Sequence, residues 1–103
     1  MQKYCLGLFV TLSMTLLVDV ATAAQPMATN PARFGAMTCQ QLWYLEQGVL
    51  AEGKVCLKSE RARRAFQRAG KCIASDEAIL SSAERDYLSK LRDVGKGKGC
   101  PGF

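Results

Sequence analysis

Four cysteines that follow an apolar N-terminal segment constrain the fold of this chain more than any other feature. The chain has 103 residues and five cysteines, and the first, Cys5, lies inside that segment. The other four are Cys39, Cys56, Cys72 and Cys100. An even set of cysteines in a short exported chain is typical of a disulfide framework. Because hydrophobic burial barely offsets chain entropy below about 80 residues, we expect cross-links to hold this domain.

Residues 1–24 have the order of a secretory signal peptide. Lys3 supplies positive charge, residues 5–18 are almost entirely apolar, and Ala21-Thr22-Ala23 places small residues at a cleavage-site spacing. The apolar run is shorter than the roughly 20 residues of a spanning helix, and Asp19 interrupts it. We therefore expect cleavage, no transmembrane anchor afterwards, and a periplasmic or extracellular location.

The segment that follows, residues 25–37, shows no hydrophobic periodicity. Pro26, Asn30, Pro31 and Gly35 interrupt it at short intervals. This composition predicts a flexible linker ahead of a helical domain over residues 38–103.

The helical domain begins with a capping signal. Thr38 is followed three places later by Gln41, the arrangement of a capping box, and apolar residues then recur at helical spacing. Gly53 and Lys54 are expected to end this first helix.

Two further helices are predicted from similar signals. Ser59 is the expected cap of a helix over residues 60–69 that Gly70 ends, and Ser81 with Glu84 forms a second capping box. The third helix is expected to stop at Gly95, leaving a Gly- and Lys-rich tail to Phe103. The sequence thus predicts an all-α fold, a small disulfide-stapled three-helix domain after a cleaved signal peptide.

The same arrangement favours one pattern of disulfides among three. In an up-down-up bundle, Cys39 and Cys72 fall at one end, and Cys56 and Cys100 at the other. A Cys56–Cys72 bridge would have to span roughly 15 Å of helix, whereas bridged Cα atoms lie within about 7 Å. We therefore predict Cys39–Cys72 and Cys56–Cys100.

The net charge of +5 is concentrated in one part of the chain. Residues 54–71 contain seven Lys and Arg but a single acid, Glu60, and Lys96 and Lys98 form a second basic spot among glycines. The predicted site for an anionic ligand consists of Lys58, Arg61, Arg64 and Arg68, the three arginines lying within about 60° on the second helix. The alternative is a solvated helix face, with Glu60 paired to Arg64.

Glu46 is an acid placed among apolar residues of the first helix. Because an isolated buried carboxylate is costly, it requires a cationic partner, and we favour an internal ion pair with Arg64 or Arg92. The alternative is an acid that contacts a ligand in a cleft. On the same helix, Trp43 is expected in the core and Tyr44 on the polar side.

The sequence lacks the residues that several kinds of functional site require. The chain has no histidine and no Cys-x-x-Cys pair, which disfavours a zinc site, a thioredoxin-type redox site and Ser-His or Cys-His catalysis. Asp76 and Glu77 are neighbours and do not face each other across a substrate. We expect no enzyme activity and no cofactor.

From Cys39 onward the chain resembles the YARHG domain family. The similarity is carried by Cys39-Gln40-Gln41-Leu42-Trp43-Tyr44, Cys56-Leu57-Lys58-Ser59, Arg64-Ala65-Phe66, Ala69-Gly70-Lys71-Cys72, Leu80-Ser81-Ser82-Ala83 and Gly99-Cys100. It is greatest with short secreted four-cysteine forms from alphaproteobacteria. The stretch that gives the family its name aligns with residues 50–54, where only Ala51 matches. The resemblance implies a secreted helical domain with a role at the cell envelope and no enzyme activity.

Two classes of function follow from these observations. The first is a non-catalytic binding module for an anionic envelope polymer or lipid headgroup. The second is an accessory domain that recognises an exported protein partner through exposed helix faces. Binding to nucleic acid is disfavoured, because export removes most such partners and no aromatic residues alternate with the arginines.

Overall fold

The computed structural model of the protein describes residues 27–103, and the secondary-structure elements in this part of the chain are helices. The three α-helices are α1 (Cys39–Glu52), α2 (Glu60–Ala65) and α3 (Ser82–Gly97). Three 3₁₀ helices accompany them: Pro31–Ala36, Gln67–Ala69 and Glu77–Ile79. This architecture, with two disulfides, confirms the predicted all-α stapled domain. The predicted signal peptide, together with residues 25 and 26 of the predicted linker, lies outside the described residues.

Both predicted capping boxes are present. The Thr38 hydroxyl accepts a hydrogen bond from the Gln41 backbone N–H at 3.1 Å, and the Gln41 side chain accepts one from the Thr38 N–H at 2.9 Å. Ser81 and Glu84 form the same reciprocal pair at the start of α3. These contacts satisfy backbone donors that have no partner inside a helix, and so they fix where α1 and α3 begin.

The core lies between α1 and α3, and the N-terminal 3₁₀ helix closes one side of it. Its largest fully buried side chains are Phe34, Leu42, Val49, Leu88 and Leu91. Phe34 comes from the segment that the sequence predicts to be a linker, and its ring meets the Tyr87 ring edge-on at 5.1 Å.

The linker prediction is therefore wrong for the described residues that follow Asn30. Asn30 caps the 3₁₀ helix Pro31–Ala36 with its side chain, and the Tyr87 hydroxyl donates to the Thr29 carbonyl at 2.7 Å. Burying a phenylalanine contributes about 1.5–3 kcal/mol, which together with these hydrogen bonds helps to hold the segment against the helices.

The predicted ends of the second and third helices also require correction. The α-helix α2 ends at Ala65, because Phe66 leaves the helical region at φ −118°, and the chain continues as a 3₁₀ turn. Conversely, α3 passes through Gly95 and ends two residues later. Gly95 does not end the helix but leaves room for the Phe103 ring. A Cβ atom at this position would lie 2.6 Å from Cγ of Phe103.

The disulfides are Cys39–Cys100 and Cys56–Cys72, with Cα–Cα distances of 5.3 and 4.9 Å. The predicted pairing of Cys39 with Cys72 and of Cys56 with Cys100 is wrong. The prediction assumed that a full-length second helix separates Cys56 from Cys72.

In the structure α2 has only six residues, and the chain then turns back, with Gly70 at φ +82°. The returning segment lies beside the residues that follow α1, where the Cys56 N–H donates to the Ala74 carbonyl at 2.8 Å and the Ile73 N–H to the Lys54 carbonyl at 2.7 Å. Meanwhile the start of α1 meets the end of α3, which brings Cys39 to Cys100. Two disulfides indicate an oxidising compartment outside the cytoplasm.

Candidate functional site

Residues 54–71, called the basic loop below, form the candidate site. The Cys56–Cys72 disulfide closes this loop at its base, beside the isolated bridge between Val55 and Ala74. The Lys54 ammonium donates to the Ala69 carbonyl across the same base. The loop is thus held covalently and by hydrogen bonds, although it contains only one short α-helix.

The basic loop holds a charge excess that is larger than that of the whole chain. Its seven cations and one acid give a formal charge of +6, against +5 for the full sequence. Among the described residues, only one of the seven cations, Arg64, has a carboxylate within 4.0 Å, and that partner is Glu60. Because both side chains are largely exposed, at 68% and 75%, this pair neutralises little of the field.

The loop cations nevertheless differ in what they contact. Arg61 lies over the Trp43 ring, with Cζ 4.1 Å from the ring centroid, and it donates to the Gln40 side chain at 2.6 Å. It therefore attaches α2 to α1 through a cation–π contact and a hydrogen bond. Trp43, expected in the core, is half-buried beneath this guanidinium.

Arg63, which the sequence analysis did not select, has a structural role. Its guanidinium donates to the carbonyls of Leu57 and Lys58, each at 3.2 Å. These bonds fold the turn before α2 against the helix and leave the Lys58 side chain exposed.

The predicted site residues share the loop but not one helix. Arg61 and Arg64 lie on α2, Lys58 precedes it, and Arg68 lies in the 3₁₀ turn beyond the break at Phe66. The expected stripe on a single helix face is therefore wrong, and the charges are instead distributed around a closed loop. Lys98, from the second basic spot, donates to the Gly35 carbonyl at 2.8 Å and fastens the N-terminal 3₁₀ helix.

Glu46 forms the internal ion pair that the sequence predicts, and Arg92 is its partner. The Glu46 carboxylate is buried and accepts from Nε of Arg92 at 2.8 Å and from the Gln47 side chain at 2.9 Å. The remaining face of the Arg92 guanidinium binds Glu77 with two hydrogen bonds. Hydrogen bonding to Arg92 holds the pKa of Glu77 below its ordinary value, and hydrogen bonding to Glu77 raises the pKa of Arg92. This satisfied network is structural, which favours the ion pair over a ligand-contacting acid.

Sequence analysis missed an open groove that runs along α1 beside the basic loop. It has a volume of about 660 Å³, and its walls are mostly apolar. The rings of Tyr44 and Phe66 pack together in it, with centroids 4.8 Å apart, and Gly48 lies beneath Phe66. The sequence contained one indication of this groove, the glycine four places after Tyr44. A larger side chain at position 48 would fill the space.

No helix within residues 27–103 is long and apolar enough to cross a membrane. Within the same residues, no group of three or more Cys, Asp or Glu is arranged to hold a metal ion.

Comparison with protein-family models, curated proteins and solved structures found no match to this chain.

Proposed function

We propose that the mature chain is a small non-catalytic binding module for an anionic component of the cell envelope, acting in the periplasm or outside the cell. One observation carries this proposal. The basic loop holds seven cations, and among the described residues a single exposed carboxylate pairs with them. The resemblance to the YARHG family belongs to the same proposal, since it implies a secreted domain with an envelope role.

The fixed backbone of the basic loop supports a binding role over a role in solubility alone. A disulfide and hydrogen bonds from Lys54 and Arg63 hold its backbone in one conformation. A preorganised cluster of cations loses less entropy when it binds an anion than a flexible cationic segment would. Such a surface attracts phosphate-bearing polymers and lipid headgroups by electrostatics that salt screens over about 10 Å at 0.1 M.

Binding of the oxidised mature domain to long-chain polyphosphate and to phosphatidylglycerol vesicles, measured across a salt series, tests the proposal. The test variant is Arg64→Glu/Arg68→Glu, which avoids Arg61 because that residue packs on Trp43. The matched control is Arg85→Glu/Lys90→Glu, an equal charge change at exposed positions of α3. We expect the loop variant to weaken binding about tenfold and the control less than twofold at low salt.

Equal losses in the two variants would show that net charge, and not the loop, drives binding. Absence of salt-sensitive binding to either probe would contradict the proposal and favour the second class, an accessory domain that recognises an exported protein.

A further inference from the structure

The groove along α1 has an apolar middle and a cationic end. Its middle is formed by Tyr44, Leu45, Gly48 and Phe66. These four residues offer one phenol hydroxyl as their only hydrogen-bonding side-chain group. The part of a ligand that lies against these four residues is therefore favoured to be apolar, because polar groups that face them lose water without gaining partners.

The two ends of the groove differ in charge. At the start of α1 the groove includes Gln40, which accepts a hydrogen bond from Arg61, and it also includes Arg33 of the preceding 3₁₀ helix. Glu52 lines it at the other end of α1. Twelve residues separate positions 40 and 52, or about 18 Å along a helix. A ligand with an anionic group at one end only is thus favoured in a single orientation.

The groove also shares a wall with the basic loop. Phe66 belongs to the loop and packs against Tyr44 of α1, so the loop forms one side of the apolar stretch. Arg64 and Arg68 each lie two residues from Phe66 along the chain. The apolar wall of the groove is therefore next to the cations of the basic loop along the chain.

We infer that the groove binds the hydrocarbon chain of an anionic amphiphile, with the anionic headgroup at the Arg33 and Arg61 end and on the basic loop. This inference rests on the proposed function and selects a lipid from among the anionic components. A sugar ring or an extended peptide fits the same volume less well, because each would place hydroxyls or backbone amides against the Tyr44 and Phe66 rings, which offer few hydrogen-bond partners. A volume of about 660 Å³ lies within the range of small-molecule sites.

Gly48 provides a sharp test, because it lies in a helix and faces the groove. A Cβ atom there would lie 3.4 Å from Cε1 of Phe66, an ordinary contact, and a longer side chain would extend into the groove. Gly48→Leu is therefore the blocking variant and Gly48→Ala its matched control. Both replacements raise helix propensity, so neither is expected to unfold α1.

The probe is dihexanoyl phosphatidylglycerol below its micelle concentration, with dihexanoyl phosphatidylcholine as the uncharged counterpart and polyphosphate as an anion without a tail. Binding is followed by calorimetry on the oxidised mature domain. We expect Gly48→Leu to weaken binding of the phosphatidylglycerol at least about tenfold, the effect of losing roughly two buried methylene groups. Gly48→Ala should stay within about threefold of the natural sequence, and neither variant should change polyphosphate binding.

Three results would overturn the inference. The first is unchanged phosphatidylglycerol binding by Gly48→Leu. The second is equal affinity for phosphatidylcholine, since the headgroup charge would then have no role. The third is concentration-dependent dimerisation that Gly48→Leu abolishes, because a second copy would then occupy the groove. The Arg64→Glu/Arg68→Glu variant distinguishes these failures from failure of the proposed function: if its polyphosphate binding matches that of the natural sequence, the basic loop itself is not a site.

Discussion

The Arg92 guanidinium joins two carboxylates that are 31 positions apart in the chain: its Nε donates to Glu46 at 2.8 Å, and its terminal nitrogens bind Glu77. Glu46 lies on α1 and Glu77 begins a 3₁₀ helix, while Arg92 belongs to α3. One cation therefore ties three elements together, including the connection between the basic loop and α3.

Removing this cation should destabilise the protein more than removing either acid. Arg92→Met leaves the buried Glu46 carboxylate without its cationic partner, which we expect to cost about 2 kcal/mol, less than a fully buried pair because Arg92 is partly exposed. Glu46→Leu should cost under about 1 kcal/mol, since Arg92 keeps Glu77. The double variant Glu46→Leu/Arg92→Met should recover at least half of the loss. Unfolding in urea without reductant measures all three, and a near-neutral Arg92→Met would refute this account.

Acid should weaken the protein through Glu77. Its pKa lies below the ordinary value of 4.5 because Arg92 donates hydrogen bonds to the carboxylate, an effect larger than that of its partial burial. Folding thus lowers this pKa, so the stabilisation is fully present above the unfolded value and disappears as pH falls through the folded value. The free energy of unfolding should decline below pH 4.5, and Glu77→Gln should lessen that decline. Parallel pH profiles for the two proteins would show that other carboxyl groups cause it.

The two disulfides should differ in their reduction. Cys72 is exposed, whereas Cys100 is only 5% exposed, so the bridge that closes the basic loop is the accessible one. Limited treatment with a phosphine reductant, followed by alkylation and peptide mass spectrometry, should label Cys56 and Cys72 first. Earlier labelling of Cys39 and Cys100 would contradict the exposure argument.

Replacing each pair by serine should show a different order of cost. The bridges join residues separated by 16 and 61 positions, and chain entropy gives about 3 kcal/mol for the short loop and about 4 kcal/mol for the long one. Cys39→Ser/Cys100→Ser should therefore lower stability more than Cys56→Ser/Cys72→Ser. Denaturant unfolding of the two double variants compares them directly, and the reverse order would show that contacts at the loop base outweigh the entropic difference.

Two glycines of α3 make a matched pair. Gly95→Ala places a methyl group against the Phe103 ring, and we expect a loss of about 1–2 kcal/mol as the C-terminal ring is displaced. Gly97 has nothing within 4 Å of the corresponding position, so Gly97→Ala should be neutral or stabilising by up to about 1 kcal/mol. Thermal unfolding separates the two outcomes, and equal stability of both variants would show that Phe103 adapts without cost.

Sequence reasoning succeeded where the determining contacts are local. The Thr38–Gln41 and Ser81–Glu84 boxes each lie within four residues, so their side chains alone specify where α1 and α3 begin. The sequence also predicted an ion pair for Glu46, because a carboxylate in an apolar face requires a cation. Of the two candidates, Arg64 and Arg92, the structure shows Arg92.

It failed where distant contacts override local preference. Phe34 in a segment without periodicity and Phe103 beside Gly95 are held by packing that no local pattern encodes. The wrong disulfide pairing followed from one error of length: a second helix assumed to reach residue 69 ends at Ala65. The same break carries Arg68 off the expected helix face, so the predicted site residues lie around a loop and not along one helix.

The Cys39–Cys100 bridge affects what proteolytic cleavage does to the protein. It joins residues 61 positions apart at a Cα–Cα distance of 5.3 Å, so most of the described chain is a covalent ring, and the Cys56–Cys72 bridge forms a smaller ring inside it. Cleavage of one peptide bond anywhere between Cys39 and Cys100 therefore releases no fragment. A nicked molecule therefore keeps every residue of the ring on one covalent body, and at least two cuts are needed before any part of it is lost.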